Sequence, residues 1–518
     1  MPLINKALLA LVTLSAVAAV GMIPAQAQTN RNVTIVLPDE PMGLDPCNSD
    51  TSTLGRINRQ NVTETLTEID PKDGSIKPRL ATSWEKINDT TWRFKLRQGV
   101  TFHDGAPFNA ETAVTSIMRT LATDSVVKGD VKTGLDCSTR TIFFKALKLT
   151  PKAVDATTLE IVADQPVPIL PTQMGIVMLA SPKSPMDKLT QAPVGTGPYV
   201  FDHWTAGQEV VLKRNDKYWG EKPQVEGARY VWRNESSVRA AMVKIGEADI
   251  APVISPQDAN DPALDYSYLN SETTWLRIDA TRPPLDDIRV RLAMNYAVDR
   301  NALRGSLFSK DVVPATQIVV PSIAGHNHEL DKRVYAYDPA KAKQLIAEAK
   351  AAGTPVDKEI ALVGRINFYP NTQEVMEAIN GMFHAVGFNT KLSMLEVAIW
   401  TSMIRKPFDE KRGPAIQNTV HDNNNGDPVF SVYAKFGCEG INSTMCNPEL
   451  DKVITQASVS SGAERVKAWE KAFQMIFEAV PDVMLFHQVG YSRVGSRLDF
   501  KPTIAMNSEI QLAQIKFK

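Results

Sequence analysis

Apolar residues recur with two different periods along this chain, and each period predicts its own kind of element. Near the start, NVTIVLPDEP is a β-branched run that closes on turn residues, which is typical of a strand. Two alternating stretches in SWEKINDTTWRFKL flank Asn88 and Asp89 and predict a β-hairpin. The stretch NAETAVTSIMRTL then places apolar residues at helical spacing behind a capping Asn109. The first part of the chain is therefore expected to mix strands with a capped helix.

Three later stretches carry the period of an amphipathic helix. YDPAKAKQLIAEAKAAG has Asp338 as its cap, Pro339 as its first residue and Gly353 at its exit. NTQEVMEAINGMFHAVG stops at Gly387, and AERVKAWEKAFQMIFEAVP is ended by Pro481. TKLSMLEV, after the second of these helices, alternates like a strand. Because helix and strand recur in turn from about residue 335 onward, we predict an α/β domain with a largely parallel sheet.

The first residues, MPLINKALLALVTLSAVAAVGMIPAQAQ, have the pattern of a secretory signal peptide. One cation, Lys6, precedes an apolar run of 17 residues, and Ala25 and Ala27 form an A-x-A cleavage site. A retained membrane anchor is the alternative, but the run is at the lower limit for a bilayer span and no basic stop-transfer cluster follows it. We therefore predict that residues 1–27 are cleaved after Ala27 and that the mature protein lies outside the cytoplasm.

Charge and cysteine content narrow the class of protein further. With 57 Lys and Arg against 58 Asp and Glu, the net charge of −1 gives no reason to expect a nucleic-acid partner. Four cysteines in an exported chain favour two disulfides. Cys438 and Cys446 close the short loop CEGINSTMC and are the expected pair, and Cys47 with Cys137 follows by elimination. A four-thiolate metal site would require close C-x-x-C pairs, which the sequence lacks.

The sequence lacks the motifs of common catalytic and cofactor sites. It contains no H-E-x-x-H, G-x-S-x-G or G-x-x-x-x-G-K-[ST], and GTGPYV lacks the third glycine of a dinucleotide fingerprint. Among seven histidines only His326 and His328, in GHNHE, are close in sequence, and this pair lacks a third ligand. Asp286 and Asp287 precede a helical stretch and are expected to cap it. We therefore expect no enzyme activity, no cofactor and no metal site.

Several stretches, taken together, resemble the successive motifs of the extracytoplasmic solute-binding proteins of family 5. They are, in chain order, DPKDGSIKPRLATSWEKINDTTWRFKLRQGVTFHDGAPFNAETAV, APVGTGPYVFDHW, LKRNDKYWG and DIRVRLAMNYAVDRNAL. This family serves ABC importers of dipeptides, oligopeptides and nickel. The resemblance implies a monomeric periplasmic receptor that captures a peptide, or a peptide-like or polyhydroxylated small molecule, and delivers it to the permease subunits. An exported hydrolase, or a nickel or haem carrier of the same fold, is the alternative.

The resemblance also implies the fold and its division. The expected fold is α/β, a two-lobed periplasmic binding protein (flytrap) fold with an inserted subdomain and mixed β-sheets flanked by helices. The lobes enclose the ligand and close by hinge motion. The expected parts are lobe I at residues 28–75, 200–280 and 485–518, its inserted subdomain at 76–199, and lobe II at 281–484.

Residues 421–430, HDNNNGDPVF, which we name the asparagine loop, depart from the dipeptide receptors of this family. The loop of those receptors resembles W-T-G-D-N-G-D-P, in which an aspartate receives the peptide's α-amino group, and Asn424 takes its place here. The arginine that receives the peptide carboxylate is also missing from YPNTQE, where Gln373 stands. Since an unpaired buried charge is costly, we predict a ligand rich in hydroxyls or amides, or a longer peptide whose termini bind elsewhere.

The predicted ligand contacts combine amides, one cation and aromatic side chains. They are Asn423, Asn424, Asn425, Arg365, Trp400, Tyr369, Phe430 and His421. The asparagines would supply paired donors and acceptors, Arg365 would replace the missing cation, and Trp400 would form an aromatic wall. The alternatives are a surface arginine for Arg365, core packing for Trp400 and an ordinary loop position for His421. A Cys438–Cys446 disulfide is expected to hold the asparagine loop in its binding shape.

Overall fold

The structure is a computed structural model that describes most of the chain. The described residues are 30–48, 52–70, 75–121, 126–127, 131–132, 135, 137–139, 147–366, 368–409, 411–423, 426–430, 432–502 and 509–518. The predicted signal peptide, together with Asn424 and Asn425, lies outside them.

Strands and helices alternate along much of the described chain. The strands are β1 (Asn32–Leu37), β2 (Thr67–Ile69), β3 (Ile76–Pro78), β4 (Ala81–Asn88), β5 (Thr91–Leu96), β6 (Val126–Val127), β7 (Val131–Lys132), β8 (Leu149–Asp155), β9 (Thr158–Ala163), β10 (Tyr199–Thr205), β11 (Glu209–Arg214), β12 (Gly227–Trp232), β13 (Ile250–Ile254), β14 (Asp265–Ile278), β15 (Val313–Pro314), β16 (Ile360–Arg365), β17 (Thr390–Leu395), β18 (Ala415–Asp422), β19 (Asp482–Val494), β20 (Leu498–Asp499) and β21 (Lys516–Phe517). The helices are α1 (Ser52–Asn58), α2 (Ala110–Leu121), α3 (Leu170–Met174), α4 (Ser236–Lys244), α5 (Ile288–Ala297), α6 (Arg300–Leu303), α7 (Pro339–Ala351), α8 (Thr372–Val386), α9 (Val397–Ile404), α10 (Val432–Phe436), α11 (Pro448–Val459) and α12 (Gly462–Ala479).

One mixed sheet runs through the molecule. Its strand order is β10-β11-β12-β1-β13-β19-β14-β18-β16-β17, and β15 pairs with β19. In one half β1 is parallel to β12 and β13, and in the other half β16 is parallel to β17 and β18. The antiparallel strands β14 and β19 lie between these two parallel groups. The parallel strands predicted after residue 335 are therefore confirmed, within a larger mixed sheet.

The strands β14 and β19, which we name the crossing strands, belong to both halves of the sheet. Residues 265–269 pair with 489–493, and residues 273–277 pair with 482–487, with a register break after Leu269. On one side β19 pairs with β13, and on the other side β14 pairs with β18. The crossing strands therefore join the two halves. They pair with each other on both sides of this break, and their outer neighbours differ between the halves.

Buried apolar side chains form separate cores. One core collects residues from both ends and the middle of the chain, including Val33, Tyr230 and Leu512. Another contains Phe94 and Leu159 of the four-stranded sheet β4-β5-β9-β8. In the remaining half, residues of α5, α7 and α8 form one cluster and residues of α11 and α12 form another. Separate cores are what distinct structural units of one chain require.

Several predicted helix starts are confirmed by their hydrogen bonds. The side-chain oxygen of Asn109 accepts from the N–H of Thr112 at 3.0 Å at the start of α2. Asp338 caps α7 by accepting from a backbone N–H of its first turn at 2.8 Å. Asp287 caps α5 in the same way at 2.9 Å. The polar residues at these positions therefore satisfy helix N–H groups that have no partner within the helix.

Two glycines of VGTGPY lie directly against the backbone at residues 61–63. A Cβ on Gly195 would lie 2.1 Å from the carbonyl oxygen of Val62, and one on Gly197 would lie 2.2 Å from that of Asn61. His103, from the FHDG stretch, donates from Nε2 to the carbonyl oxygen of Gly197 at 2.9 Å. Glycine is thus required here because two backbones approach too closely for any side chain.

Glu64 gathers side chains from three of the quoted motifs around one fully buried carboxylate. Its Oε1 accepts from Nε of Arg79 at 2.7 Å and from the hydroxyl of Tyr218 at 2.9 Å. Its Oε2 accepts from the hydroxyl of Thr196 and from the indole N–H of Trp219, each at 2.8 Å. Because four donors satisfy one buried charge, a single residue holds together motifs that are far apart in sequence.

Both predicted disulfides, Cys47–Cys137 and Cys438–Cys446, are present. The second disulfide joins the segment after α10 to Cys446, which directly precedes Asn447, the N-cap residue of α11. Among the described residues, none of the helices combines the length and apolar character needed to span a bilayer.

Candidate functional site

The ends of parallel strands indicate where the candidate site lies. β16 ends at Arg365 and β18 ends at Asp422, and in open α/β sheets ligands bind outside the carboxyl ends of the strands. In the other half β1 ends at Leu37, and the following helix α1 carries Arg56. The guanidinium of Arg56 interacts electrostatically with Asp422 and Glu272. The strand ends of the two halves therefore meet beside the crossing strands.

Arg56 is a candidate site residue that sequence reasoning missed. Its side chain is buried, and burial lowers its pKa, although the neighbouring Tyr268, Glu272 and Asp422 counteract this effect. One sequence feature was available, because a second arginine, Arg59, follows Arg56 just after the end of α1. The acidic neighbours are distant in sequence, and for that reason the pattern alone did not single out this arginine.

The asparagine loop is tied to the crossing strands where it begins. In the pairing of β14 with β18, Asp422 lies opposite Glu272. The backbone N–H of Asn423 donates to the carbonyl oxygen of Ser271 at 3.0 Å. The side-chain amide nitrogen of Asn423 donates to the carbonyl oxygens of Ser271 at 2.8 Å and Ile318 at 3.1 Å. Both amide protons of Asn423 are therefore engaged by main chain, and this side chain positions the loop.

The asparagine loop is anchored again where it ends. The carboxylate of Asp427 pairs with the guanidinium of Arg465, with Oδ1 2.6 Å from Nη2 and Oδ2 3.1 Å from Nε. Both side chains of this pair are only 8% exposed. Gly426 has a φ of 68°, a left-handed conformation that glycine adopts without strain. The described residues at both ends of the loop are therefore held by contacts with other segments.

His421 lies in the core beside the start of the loop. Its ring meets that of Trp275 edge to face, with centroids 6.4 Å apart. Burial, together with the charge of Lys435, lowers the pKa of His421 well below its usual value. The imidazole is therefore neutral at physiological pH. Phe430 lies in a 3₁₀ turn at Pro428–Phe430, and its side chain is outside the described part of the structure.

Arg365, Phe368 and Trp400 form a cluster that we name the arginine–aromatic cluster. The guanidinium carbon of Arg365 lies 4.5 Å from the ring centroid of Phe368 and 5.8 Å from that of Trp400. The two rings meet edge to face at 4.9 Å. Nε of Arg365 and the indole nitrogen of Trp400 are buried and have no hydrogen-bond partner among the described residues. Burial alone lowers the pKa of Arg365.

Tyr369 and Asn418 adjoin this cluster. Burial raises the pKa of Tyr369, and the neighbouring side chain of Asn418 acts in the opposite direction. The side-chain oxygen of Asn418 accepts from the backbone N–H of Arg365 at 3.0 Å. The ring of Tyr369 stacks on Phe308 at 5.7 Å. Asn418 is a second residue that the sequence analysis missed, because one asparagine within a strand has no pattern to distinguish it.

The predicted contacts thus lie in two adjoining groups. Arg365, Tyr369 and Trp400 come together near the end of β16, whereas Asn423 and His421 lie at the end of β18. The side chain of Gln373, on α8, instead donates to Glu377 on the exposed side of that helix at 3.0 Å. The first group combines a cation with two aromatic rings, which suits a polar ligand with an apolar face.

Comparisons with known proteins agree with the motifs. The family described as "Bacterial extracellular solute-binding proteins, family 5 Middle" matches residues 75–443. Heme-binding protein A of Haemophilus influenzae is 26% identical over 507 residues, which cover 92% of this chain and 90% of that protein. A probable di/tripeptide-binding protein 5 of Pseudomonas aeruginosa is 25% identical, with 90% of this chain and 92% of that protein covered. The solved structure of HbpA2 from Haemophilus parasuis has a TM-score of 0.78 at 21% identity and covers 94% of this chain and 100% of that chain.

Proposed function

The chain belongs to the bacterial extracellular solute-binding proteins of family 5, and from this membership we propose what it captures. It is a solute-binding receptor of an ABC importer. Its ligand is a polar acid, a peptide-like or polyhydroxylated molecule with one carboxylate and several hydroxyl or amide groups. The observation that carries this proposal is the half-buried Arg365, whose Nε is shielded from solvent, which stacks on an aromatic ring and which has no carboxylate partner among the described residues.

The geometry of Arg365 favours a carboxylate as its partner. A guanidinium presents its N–H donors in a planar fork that matches the two oxygens of a carboxylate. A buried donor that stays without an acceptor costs about 1–3 kcal/mol, and Nε of Arg365 is such a donor among the described residues. A ligand carboxylate would remove this cost and neutralise the cation.

The asparagine loop favours a ligand without a free ammonium group. Its two acids are already faced by arginines, because Asp427 pairs with Arg465 and Asp422 lies near Arg56. Asn424 supplies an amide where the dipeptide receptors have an aspartate. An ammonium would therefore find no counter-ion at position 424, whereas a hydroxyl or an amide finds a suitable partner in an asparagine side chain.

We propose that the two halves of the sheet are the lobes of the receptor. Lobe I would hold residues 28–75, 200–280 and 485–518, with the inserted subdomain at 76–199, and lobe II would hold residues 281–484. The separate apolar cores support this division. The crossing strands join the two groups of parallel strands and are the natural hinge.

The chain would be exported, cleaved after Ala27, and act as a monomer that delivers its ligand to the permease subunits without catalysing a reaction. Mass spectrometry of the protein recovered from the periplasm tests the cleavage site, because cleavage after Ala27 leaves Gln28 as the first residue.

Calorimetric titration with a chemically sorted panel of ligands tests the proposed ligand class. The panel contains dipeptides, longer peptides, neutral sugars, sugar acids, sugar–amino acid conjugates and haem. We expect binding of a hydroxyl-rich or amide-rich acid and weak binding of free dipeptides. Tight binding of ordinary dipeptides would overturn the proposal for the asparagine loop and restore the usual ligand of the dipeptide receptors.

Arg365→Met tests the assigned carboxylate contact in the same titration. We expect affinity for the acid to fall by about 10- to 100-fold, because hydrogen bonds to charged groups are worth about 1.5–3 kcal/mol. Arg333→Met is the matched control, since Arg333 also stacks on an aromatic ring, Phe477, at 4.5 Å but on a different segment. An equal loss in both variants, or none in Arg365→Met, would contradict the assigned role.

A further inference from the structure

A short segment between β15 and α7 brings together two imidazoles and a carboxylate outside the candidate ligand site. Nε2 of His326 lies 2.9 and 3.1 Å from the two carboxylate oxygens of Asp331. Nδ1 of His328 lies 3.3 Å from Oδ2 of Asp331. One ligand atom from each of the three residues lies within 4.8 Å of the other two. The pair GHNH, which lacked a third partner in the sequence, therefore acquires one from the 3₁₀ turn at Leu330–Arg333.

The neighbours of His326 determine which of its ring nitrogens carries a hydrogen. Nδ1 lies 2.9 Å from the carbonyl oxygen of Val319, which only accepts, so Nδ1 is the donor. Two hydrogen bonds to the main chain of Asn327 orient the side-chain amide of Gln317. Its oxygen accepts from the backbone N–H of Asn327 at 3.0 Å, and its nitrogen donates to the carbonyl oxygen of Asn327 at 3.0 Å. Its NH₂ group then lies 3.2 Å from Nε2 of His326. The network therefore presents Nε2 as a lone pair.

The same lone pair also faces the carboxylate of Asp331. Two centres of negative density, a lone pair and a carboxylate, lie within hydrogen-bond distance of each other. A cation shared by the two groups stabilises this arrangement, and a metal ion bound to Nε2 would replace the hydrogen bond from the Gln317 amide. A histidine whose other ring nitrogen donates to a backbone carbonyl is also the usual state of a metal ligand, because that bond fixes the tautomer and the ring orientation.

The distances fit a small metal ion. Bonds of about 2.0–2.2 Å to nitrogen and oxygen in a tetrahedron place ligand atoms roughly 3.4 Å apart. The separations of 2.9 to 3.3 Å from the histidine nitrogens to Asp331 lie slightly below that value, and the two histidine nitrogens lie within 4.8 Å of each other, so a small shift of the exposed side chains would accommodate the ion. The side chains of His328 and Asp331 are 68% and 38% exposed, whereas that of His326 is fully buried. An ion can thus enter from solvent and keep a water in its fourth position.

We propose that His326, His328 and Asp331 form a binding site for one divalent transition-metal ion that favours imidazole and carboxylate, with Zn²⁺ as its representative. The site is separate from the proposed contact of Arg365 with the solute. It adjoins the candidate site through Ile318, which directly follows Gln317. The carbonyl oxygen of Ile318 accepts a hydrogen bond from the side-chain amide of Asn423.

Equilibrium dialysis of the purified, metal-stripped protein against Zn²⁺ tests the proposal, with a chain that carries no histidine tag. We expect one bound Zn²⁺ per chain, and Co²⁺ in its place to give the visible absorption of a tetrahedral nitrogen and oxygen site. His328→Ala and Asp331→Asn should each weaken binding about tenfold or more, since even the loss of a residue behind a ligand costs 10- to 100-fold.

His203→Ala is the matched control. His203 is a similarly exposed histidine that contacts carboxylates, with Nδ1 2.8 Å from Asp202, and its removal should leave Zn²⁺ binding unchanged. Circular dichroism melting curves verify that all three variants fold. Zn²⁺ binding that persists unchanged in both His328→Ala and Asp331→Asn, or no bound Zn²⁺ in the parent protein, would overturn the site and leave the contact as an ion pair within the loop.

Discussion

Burial decides the charge of several single residues in the second half of the molecule. Asp482 is 7% exposed, and burial raises its pKa to about 8 although Arg277 and Lys435 lie nearby. Burial likewise lowers the pKa of His487 to about 3 and that of Lys435 to about 8. These groups lie around the crossing strands, so the protonation state of this region differs from that of the same residues in water.

Asp482→Asn is expected to change how stability depends on pH. The folded pKa of Asp482, about 8, lies above its ordinary value of 3.8, so the native state holds this proton more tightly than the unfolded chain does. The stability gained from it is complete below pH 4 and is lost as the pH rises through about 8. The variant should therefore become more stable relative to the parent protein as the pH increases across this window.

Urea unfolding at several pH values between 4 and 8 measures this difference. Lys435, with a lowered pKa of about 8, changes the stability mainly above this pH range. Its effect there is opposite, because it makes the folded state more stable as the pH rises. Asp357→Asn serves as the control, since the Asp357 side chain is 76% exposed. A constant difference between Asp482→Asn and the parent protein across the window would show that this carboxyl does not titrate abnormally.

At the scale of elements, the asparagine loop depends on the pair that ends it. Asp427→Asn leaves Arg465 buried without its counter-ion, and we expect a loss of about 3–5 kcal/mol in the free energy of unfolding. The double variant Asp427→Asn/Arg465→Met removes both charges, and we expect it to recover much of that stability. Its affinity for the ligand should stay low, because the loop is no longer anchored.

Urea unfolding and calorimetric titration separate these two effects. Recovery of both stability and affinity in the double variant would contradict the view that the pair shapes the loop. Full affinity in Asp427→Asn alone would contradict it as well.

Glu64 links elements of the first half in a similar way. Glu64→Gln replaces a carboxylate that accepts from four donors, and we expect it to destabilise the protein by about 3–5 kcal/mol. Glu85→Gln is the matched control, since Glu85 faces Arg93 across 3.6 Å with its side chain 61% exposed. Exposed pairs contribute about 0–1 kcal/mol, so that variant should unfold nearly as the parent protein does. Equal urea midpoints for the two variants would contradict the central role of Glu64.

For the whole molecule, the crossing strands predict that ligand binding closes the two halves on each other. Small-angle X-ray scattering should then show a smaller radius of gyration when the ligand saturates the protein. Arg365→Met, at a ligand concentration that saturates only the parent protein, should keep the radius of the ligand-free form. An unchanged radius in the saturated parent protein would mean that the cleft does not close.

Much of the local structure and the family could be predicted from the sequence. The hairpin of β4 and β5, the caps Asn109, Asp287 and Asp338, and the disulfide across the loop at 438–446 all follow from patterns that span a few residues. Turn chemistry, helix capping and hydrophobic period act between near neighbours, and this is why the sequence alone determined them.

Only the tertiary structure decided the contacts between distant segments. Arg56 meets Asp422, four donors meet Glu64, and the amide of Asn423 is engaged by main chain of two other segments. Even the third partner of GHNH, Asp331, depends on a single 3₁₀ turn. Which polar groups meet in a buried site depends on how the sheet brings strand ends together, and no pattern of neighbouring residues contains that information.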